Sequence, residues 1–463
     1  MEKKKKIALR LKEWYERVTH KNDPHYISGK EARRIARENM RVTREYERKK
    51  KRKHVPEQEY LTEMKNKDNI LEIENLHTYF FTDAGVAKSV NGVSFEVPKG
   101  SVVGVVGESG CGKSVTSLSV MQLVQAPQGQ IVEGSIRFCS QDYKRDEEGR
   151  PVPVWEYEEK DGQKVVKKEP VLDKKGRPVL EKDGTPKMKN VQALDGNGFP
   201  AFETEDKTFD IAKMPMNEMR RIRGKEISMI FQEPMTSLNP LFTIGNQLDE
   251  VVLLHTPGAD KALAKKRSVE MLTLVGIAMP ENVYTRYPHE LSGGMRQRVM
   301  IAMALACNPK LIIADEPTTA LDVTIQAQVL DLLKEIKQKI NGSIMLITHD
   351  LGVIAGMADY VVVMYAGRVI EKGTVEDIFD RPMHPYTVGL QKSKPVLNKD
   401  IEWLYSIKGQ VPNPIDMPDY CYFKDRCERC KEVCNGKYPP LVQVNPTHSV
   451  ACYLYDEAKE AAK

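Results

Sequence analysis

The fold of this chain is decided by one short stretch, Gly107-Glu108-Ser109-Gly110-Cys111-Gly112-Lys113-Ser114. It follows an apolar run at 102–106 that predicts a buried strand, and a helical pattern comes after it. Glycines at this spacing let the backbone wrap so that its N–H groups converge on phosphate oxygens, at the positive end of a helix. Lys113 would lie beside the β- and γ-phosphates of a nucleotide, and Ser114 offers Mg²⁺ a hydroxyl. The stretch predicts a phosphate-binding loop (P-loop) in an α/β fold.

A second motif, Leu311-Ile312-Ile313-Ala314-Asp315-Glu316, is an apolar strand that ends in two carboxylates. Asp315 is expected at the carboxyl edge of the sheet, where it would hold Mg²⁺ through water. Glu316 is expected to point at the γ-phosphate and to polarise the attacking water. A solvated strand end is the alternative interpretation, and the P-loop makes it weak.

A third motif, Leu291-Ser292-Gly293-Gly294-Met295-Arg296-Gln297-Arg298, predicts another helix N-terminus with exposed amides. One chain cannot easily apply two such anion sites to a single nucleotide. The pair of sites therefore predicts face-to-face dimerisation with ATP between the subunits. A capped surface helix is the alternative, but it leaves the paired glycines unexplained.

Together these motifs resemble those of ATP-binding-cassette (ABC) ATPases. The stretch at 107–114 resembles Walker A and that at 311–316 Walker B, while 291–297 resembles the signature motif with Met295 in place of glutamine. The resemblance implies a RecA-like α/β core with an antiparallel β lobe and a helical subdomain. It also implies that Ser292, Gly293 and Gly294 cap the nucleotide of a partner subunit.

The same resemblance assigns roles to further residues. Gln232 matches the glutamine that reaches Mg²⁺ and the catalytic water, and His349 matches the histidine that contacts the γ-phosphate. Asp322, in Ala320-Leu321-Asp322, matches the residue that couples the two sites of a dimer. The implied catalytic set is Glu316, His349 and Gln232, and the implied Mg²⁺ set is Ser114, Gln232 and Asp315.

Phe80 falls where ABC ATPases place the aromatic side chain that stacks on adenine, although Tyr79 or Phe81 could serve instead. Taken alone, Phe80 could be a core residue, Gln232 an ordinary loop residue and His349 a strand-end histidine. Their common order along the chain makes coincidence negligible.

Two further stretches, at 232–240 and 384–387, are similar to the oligopeptide/dipeptide/nickel importer subfamily, and most of all to its OppD/DppD type. The resemblance implies an ATPase that lies at the cytoplasmic face of the cell membrane and powers the uptake of oligopeptides into the cell. Its implied partners are a second ATPase of the OppF/DppF type, two permease subunits and an extracytoplasmic solute-binding protein. Nickel or oligosaccharide cargo, and a homodimer in place of a heterodimer, stay open.

Five of the eight cysteines lie in the last 43 residues. In a cytosolic protein such a cluster indicates metal ligation more readily than disulfides. Within the subfamily four cysteines hold a [4Fe–4S] cluster, and Cys421, Cys427, Cys434 and Cys452 match their spacing. Four thiolates also suit tetrahedral zinc, which remains the alternative. Cys430 departs from the pattern as a free thiol or as a replacement for Cys427 or Cys434.

Composition divides the chain into regions. Residues 1–67 form a basic, partly helical extension, and residues 68–385 are expected to form the ABC domain. That domain is expected to contain a hairpin-rich insertion at about 140–215 and a helical subdomain at about 233–300. A small Cys-rich C-terminal domain is expected at 386–463.

Charge is distributed unevenly between these regions. The extension has 22 basic and 11 acidic residues, whereas the remainder has 48 basic and 54 acidic residues. The mildly acidic remainder argues against nucleic acid as a partner, although the extension alone could touch anionic lipid or RNA. The alternatives of a soluble ABC ATPase acting on ribosomes or DNA, and of a non-catalytic regulator, are therefore less favoured.

Overall fold

The structure is a computed structural model that describes residues 27–455 with a few gaps. Those gaps are 53–54, 161–162, 174–176, 182, 184, 196–197, 234–236, 320–321, 341 and 394–404. Residues 1–26 of the basic, partly helical extension expected from the sequence lie outside the described residues. Among the helices that are described, none combines the length and the apolar character that crossing a bilayer requires.

The core is an eight-stranded sheet whose five parallel strands are apolar runs buried on both faces. In sheet order the parallel strands are β11 (Ile227–Ile230), β12 (Leu311–Asp315), β13 (Ser343–Thr348), β4 (Val102–Val106) and β14 (Tyr360–Tyr365). Antiparallel strands extend one edge: β15 (Arg368–Thr374), β17 (Ser449–Val450) and β16 (Val442–Gln443). The parallel order places the carboxyl ends of β4 and β12 at one edge of the sheet, with β13 between them.

Helices cover this sheet and form a subdomain beside it. The helices that follow core strands are α2 (Lys113–Val120), α8 (Val323–Ile340), α9 (Leu351–Met357), α10 (Val375–Asp380) and α11 (Pro385–Lys392). The helices between β11 and β12 are α4 (Ile244–His255), α5 (Lys261–Leu274), α6 (Pro280–Tyr284) and α7 (Gly293–Leu305), and a short α3 (Met216–Ile222) precedes β11. Helix α7 packs against both α5 and β11, so it joins the helical subdomain to the core.

An antiparallel sheet forms the predicted β lobe. Its order is β1 (Leu61–Thr62), β10 (Thr204–Asp210), β5 (Gly129–Tyr143), β2 (Asn69–Thr82) and β3 (Gly85–Pro98). Helix α1 (Gly29–Lys50) lies against β2, where the side-chain amide of Asn39 donates to the carbonyl oxygen of Thr82 at 2.7 Å. The side chain of Ser28 caps this helix by accepting from the N–H of Glu31.

Short hairpins fill the chain between β5 and β10, including β6 (Tyr157–Lys160) with β7 (Gln163–Val166) and β8 (Lys168–Pro170) with β9 (Met188–Asn190). One turn recurs, in which an aspartate carboxylate accepts from the N–H four residues on, at Asp146, Asp173 and Asp195. Strands β5 and β10 pair from Tyr143 and Thr204 onward, so both ends of the expected insertion belong to the β lobe.

The structure describes part of the small C-terminal domain expected at 386–463, and this part packs against the core. Val450 in β17 pairs with Glu371 in β15, and this pairing extends the core sheet. Tyr422 and Phe423 belong to the main hydrophobic core. Burying these large aromatic side chains requires the core surface, because so short a segment cannot enclose them alone.

Candidate nucleotide-binding and catalytic site

The P-loop wraps as its glycines predict, between β4 and α2. Gly110 and Gly112 have φ angles of +79° and +99°, which lie in the region that favours glycine. A Cβ atom on Gly112 would collide with the carbonyl oxygen of Ser89 in the neighbouring strand β3. Glycine is therefore required at position 112 by both backbone conformation and space.

Lys113 and Ser114 lie at the first turn of α2. Lys113 is 5% exposed, and its Nζ donates to the carbonyl oxygens of Gly107 at 2.8 Å and Glu108 at 3.1 Å. The ammonium group is thus held inside the loop, where the phosphates of a nucleotide would meet it. The hydroxyl of Ser114 donates to Oδ1 of Asp315 at 3.1 Å, which joins the P-loop to the end of β12.

Asp315 is a buried carboxylate between two hydroxyl groups. Ser117, one helical turn after Ser114, places its hydroxyl 3.4 Å from Oδ2 of Asp315. Burial raises the pKa of Asp315, and the hydrogen bond from Ser114 opposes that rise. A buried carboxylate next to a hydroxyl is a donor set that suits a hard cation such as Mg²⁺.

The three residues expected to act in catalysis meet at one carboxylate. Nε2 of Gln232 donates to Oε2 of Glu316 at 2.9 Å, and Nδ1 of His349 lies 3.3 Å from Oε1. Thr319, which the sequence did not single out, donates from its hydroxyl to Oε2 at 2.9 Å. The backbone of Glu316 has φ +47°, and its N–H donates to the carbonyl oxygen of Ile347 in β13. An acidic side chain held at a strand end by donors on both oxygens is placed to orient a water molecule.

Three aromatic residues follow one another in β2, and two of them have partners elsewhere. The hydroxyl of Tyr79 donates to Oδ1 of Asn91 at 3.0 Å, and the ring of Phe81 lies 6.4 Å from that of Tyr46 in α1. Alternation along the strand puts Phe80 on the opposite face from both. Of the three aromatic residues, Phe80 is therefore the one that takes no part in the contacts with Asn91 and Tyr46.

The signature residues lie away from the P-loop, at the exposed start of α7. Ser292 caps this helix by accepting from the N–H of Met295, and no hydrogen bond joins it to a described residue of the P-loop. A Cβ atom on Gly293 would meet no atom within 4 Å. Asp322 caps α8 by accepting from the N–H of Ile325 at 3.0 Å. Within the described residues of one chain, the predicted second anion site is therefore open and does not contact the P-loop.

Two C-terminal residues that sequence reasoning missed contact the P-loop directly. Arg426 forms a two-pronged ion pair with Glu108, with N–O distances of 2.6 and 3.0 Å. The hydroxyl of Tyr386 accepts from the N–H of Glu108 at 2.8 Å. Tyr386 lies within the 384–387 stretch that marks the subfamily, but nothing in the sequence around Arg426 points to the P-loop.

The four cysteines matched to the subfamily line one small cavity: Cys421, Cys427, Cys434 and Cys452. Cys430 does not line it, and its exposed thiol donates to the carbonyl oxygen of Lys431. Burial raises the pKa of Cys421 to about 12 and that of Cys452 to about 11. No three metal-binding side chains come together as a ready coordination group within the described ranges. Four thiols around one cavity are nevertheless suited to a metal ion or metal cluster, which would deprotonate and bind them.

Comparisons with known proteins agree with this geometry. The "ABC transporter" family model matches residues 90–194 and 197–319. The model "Oligopeptide/dipeptide transporter, C-terminal region" matches residues 370–434. This chain belongs to the ABC transporter family. Among ABC proteins it belongs with the OppD/DppD-type ATP-binding subunits, so the resemblance inferred from the motifs is confirmed.

Three ABC proteins of Bacillus subtilis illustrate the relationship. The oligopeptide transport ATP-binding protein AppD is 45% identical over 388 residues, which cover 84% of this chain and 97% of AppD. The dipeptide transport ATP-binding protein DppD is 41% identical, with 85% and 97% coverage, and the oligopeptide transport ATP-binding protein OppD is 42% identical, with 83% and 88% coverage. The predicted ABC ATPase fold and ATPase activity are confirmed. The expectation of ATP with Mg²⁺ agrees with the polar groups at Lys113, Ser114 and Asp315.

Proposed function

We propose that this chain is the ATP-hydrolysing subunit that powers uptake of oligopeptides or dipeptides through an ABC importer. The observation that carries the proposal is the meeting of Gln232, Glu316 and His349 at the edge of the sheet, beside the P-loop. Relatives that the chain matches over most of their length are named for oligopeptide and dipeptide transport.

In this proposal the P-loop binds the triphosphate of ATP, and strand β2 contacts its adenine ring. Lys113 contacts the β- and γ-phosphates, with the amides of Gly107, Ser109, Gly110, Cys111 and Gly112 around them. Phe80 stacks on adenine from the β lobe. Ser114, Asp315 and Gln232 would hold Mg²⁺, which supplies charge neutralisation at the phosphates when bound.

Glu316 acts as the general base. Its carboxylate takes a proton from a water molecule whose oxygen forms a bond to the γ-phosphorus, while the bond from that phosphorus to the bridging oxygen of ADP breaks. Gln232 orients the water, because its amide already lies on the same carboxylate. His349 contacts the γ-phosphate and stabilises the charge that develops on it.

A second subunit completes each nucleotide site. Ser292, Gly293 and Gly294 contact the nucleotide bound to the partner, and Asp322 couples the two sites. The partner is a second ATPase, most simply of the OppF/DppF type in a heterodimer. Two permease subunits dock near Gln232, and a solute-binding protein delivers the cargo from outside.

Reconstitution of the complex tests the function. The chain is co-purified with its permeases and second ATPase and placed in proteoliposomes with the solute-binding protein outside and ATP inside. Labelled oligopeptide should accumulate only with ATP, and Lys113→Ala should abolish this accumulation. Uptake of nickel or an oligosaccharide without peptide uptake would contradict the peptide assignment. Co-purification with ribosomes or DNA and no permease would contradict the importer as a whole.

The four cysteines around the C-terminal cavity are proposed to hold a [4Fe–4S] cluster, with zinc as the alternative. A cluster or a zinc ion would ionise these thiols and would tie this segment together. Anaerobic purification followed by iron, sulfide and zinc analysis distinguishes the two. Four iron and four sulfide per chain support the cluster, one zinc supports zinc, and neither would contradict the ligand set.

A basic helix face supports attachment at the cytoplasmic surface of the membrane. Exposed arginines follow one side of α1 at spacings of three and four residues: Arg33, Arg37, Arg41, Arg44 and Arg48. None of them forms an ion pair with a described residue, so their charge is free to meet an anionic surface. Met40 lies among them and is 52% exposed, which suits the boundary of a lipid layer better than a phosphate backbone.

Vesicle co-sedimentation of the full chain tests this attachment. Binding to vesicles with about 30% phosphatidylglycerol should fall at least about 100-fold in R37E/R41E/R44E, since each of the three lost cations contributes about 1 kcal/mol near an anionic surface. The control K164E/K168E/K187E makes the same charge change on exposed hairpin lysines and should bind normally. Equal loss in both variants, or binding to RNA but not to these vesicles, would contradict the proposal.

A further inference from the structure

The side chain of Glu108, inside the P-loop, is fixed by a residue more than three hundred positions away. The two terminal guanidinium nitrogens of Arg426, Nη1 and Nη2, donate to its carboxylate oxygens at 2.6 and 3.0 Å. The side chain of Arg426 is only 5% exposed. It also donates to the carbonyl oxygens of Lys408 at 2.9 Å and Ile407 at 3.3 Å. A planar two-pronged pair held at this many points fixes both position and direction.

The backbone of Glu108 is fixed from the same side. Its N–H donates to the hydroxyl of Tyr386 at 2.8 Å, and its carbonyl oxygen accepts from Nζ of Lys113. The ring of Tyr386 packs 4.8 Å from Tyr365 and 5.5 Å from Phe423. One P-loop residue is therefore held at its N–H and its carboxylate by the C-terminal residues, and at its carbonyl oxygen by the phosphate-binding lysine.

Arg426 is also continuous with the cysteine cavity. It immediately precedes Cys427, which lines that cavity. The N–H of Arg426 donates to the carbonyl oxygen of Phe423, and the N–H of Cys427 donates to that of Lys424. These turns tie the backbone of Arg426 to that of the cysteine segment.

We propose that Arg426 is a positioning residue for the P-loop and that it couples the cysteine segment to nucleotide binding. The inference rests on the proposed function only in that the P-loop binds ATP. By holding Glu108, Arg426 pre-organises the loop around Lys113 before the nucleotide binds. This strengthens nucleotide binding, because the loop then loses less conformational entropy when the nucleotide binds. Coupling between two sites is reciprocal, so a nucleotide on the P-loop must in turn stabilise the cysteine segment.

Nucleotide affinity tests the positioning role without any need for turnover. Binding of a fluorescent ATP analogue to the full chain is measured for Arg426→Gln, Glu108→Gln and the double variant. Each single change should weaken binding about 5- to 10-fold, and the double variant should be no weaker than either, because the two side chains act as one unit. Arg426→Lys should recover part of the affinity. The control Arg381→Gln removes a different, exposed arginine and should bind normally.

Hydrogen–deuterium exchange of the backbone amides at 421–434, measured by mass spectrometry, tests the coupling. Saturating ADP should slow this exchange at least about threefold in the natural chain and should not change it in Arg426→Gln. A purely structural role for Arg426 would instead change the exchange rate equally with and without ADP. Unchanged affinity in Arg426→Gln, additive single effects, or no effect of ADP on exchange at 421–434 would each overturn the inference. If the natural chain failed to bind nucleotide at all, the proposed function would fail instead.

Discussion

The side-chain amide of Gln297 donates to the carbonyl oxygen of Pro317 at 2.6 Å, and both atoms are buried in the core of the subunit. Gln297 lies in α7, the helix that begins with the signature residues. Pro317 directly follows Glu316, the proposed general base. This hydrogen bond therefore joins the helix that we propose faces a partner's nucleotide to the loop that carries the proposed base of the same chain.

Gln297→Leu should lower ATP turnover more than it lowers ATP affinity. It keeps the volume but leaves the carbonyl oxygen of Pro317 without its donor, which costs about 1–3 kcal/mol in stability and frees the loop next to Glu316. We expect about a 10-fold fall in kcat, with nucleotide affinity changed less than about twofold. The control Gln326→Leu alters a glutamine on α8. Equal losses in affinity and turnover would contradict this role.

Gly293→Asp should abolish turnover without harming the fold. A Cβ atom at Gly293 has no neighbour within 4 Å, and the same holds for the matched helical control, Gly356. If Gly293 faces the triphosphate of a partner subunit, an added carboxylate repels the γ-phosphate and prevents closure. ATPase activity of the assembled complex should fall at least about 100-fold in Gly293→Asp and stay normal in Gly356→Asp. Normal activity in both variants would contradict the shared-site arrangement.

The sequence was sufficient to predict which side chains come together at the P-loop, because each motif carries its own local geometry. A strand, a glycine loop and a helix start place Lys113 and Ser114 without help from distant residues. The parallel order of the strands then brings Asp315 beside them. Ser117 could have been found as well, since it lies one helical turn after Ser114 on the same face.

Contacts made by the C-terminal residues could not be read from the sequence in the same way. Arg426 and Glu108 are 318 positions apart, and no local pattern connects them. The cysteines predicted a small C-terminal domain, but nothing in their spacing indicated that Tyr422 and Phe423 would belong to the main core. Alternation and spacing describe one element at a time, so they do not reveal which surface a loop will cover.

The attachment of the C-terminal segment should make stability depend on pH through Asp377. Burial raises its pKa, but hydrogen bonds from Thr447, Thr374 and Asn445 outweigh this and lower it to about 2. Because the folded pKa is depressed, the carboxylate stabilises the fold above its unfolded pKa of about 3.9, by about 2 kcal/mol, and this is lost as pH falls towards 2.

Denaturant unfolding of Asp377→Asn and of the natural chain checks this dependence. Between pH 7 and pH 3 the natural chain should lose about 1 kcal/mol more of its unfolding free energy than the variant. The variant should already be the less stable of the two at pH 7. Parallel pH profiles would contradict the depressed pKa.

Glu316→Gln tests the central claim most directly, because it removes the base and keeps the shape of the side chain. The assembled complex is mixed with radiolabelled ATP and Mg²⁺, and both the bound nucleotide and the released phosphate are measured over time. We predict that the variant retains intact ATP while phosphate release from its site falls at least about 100-fold. Phosphate release at the natural rate from the Glu316→Gln site would contradict the account.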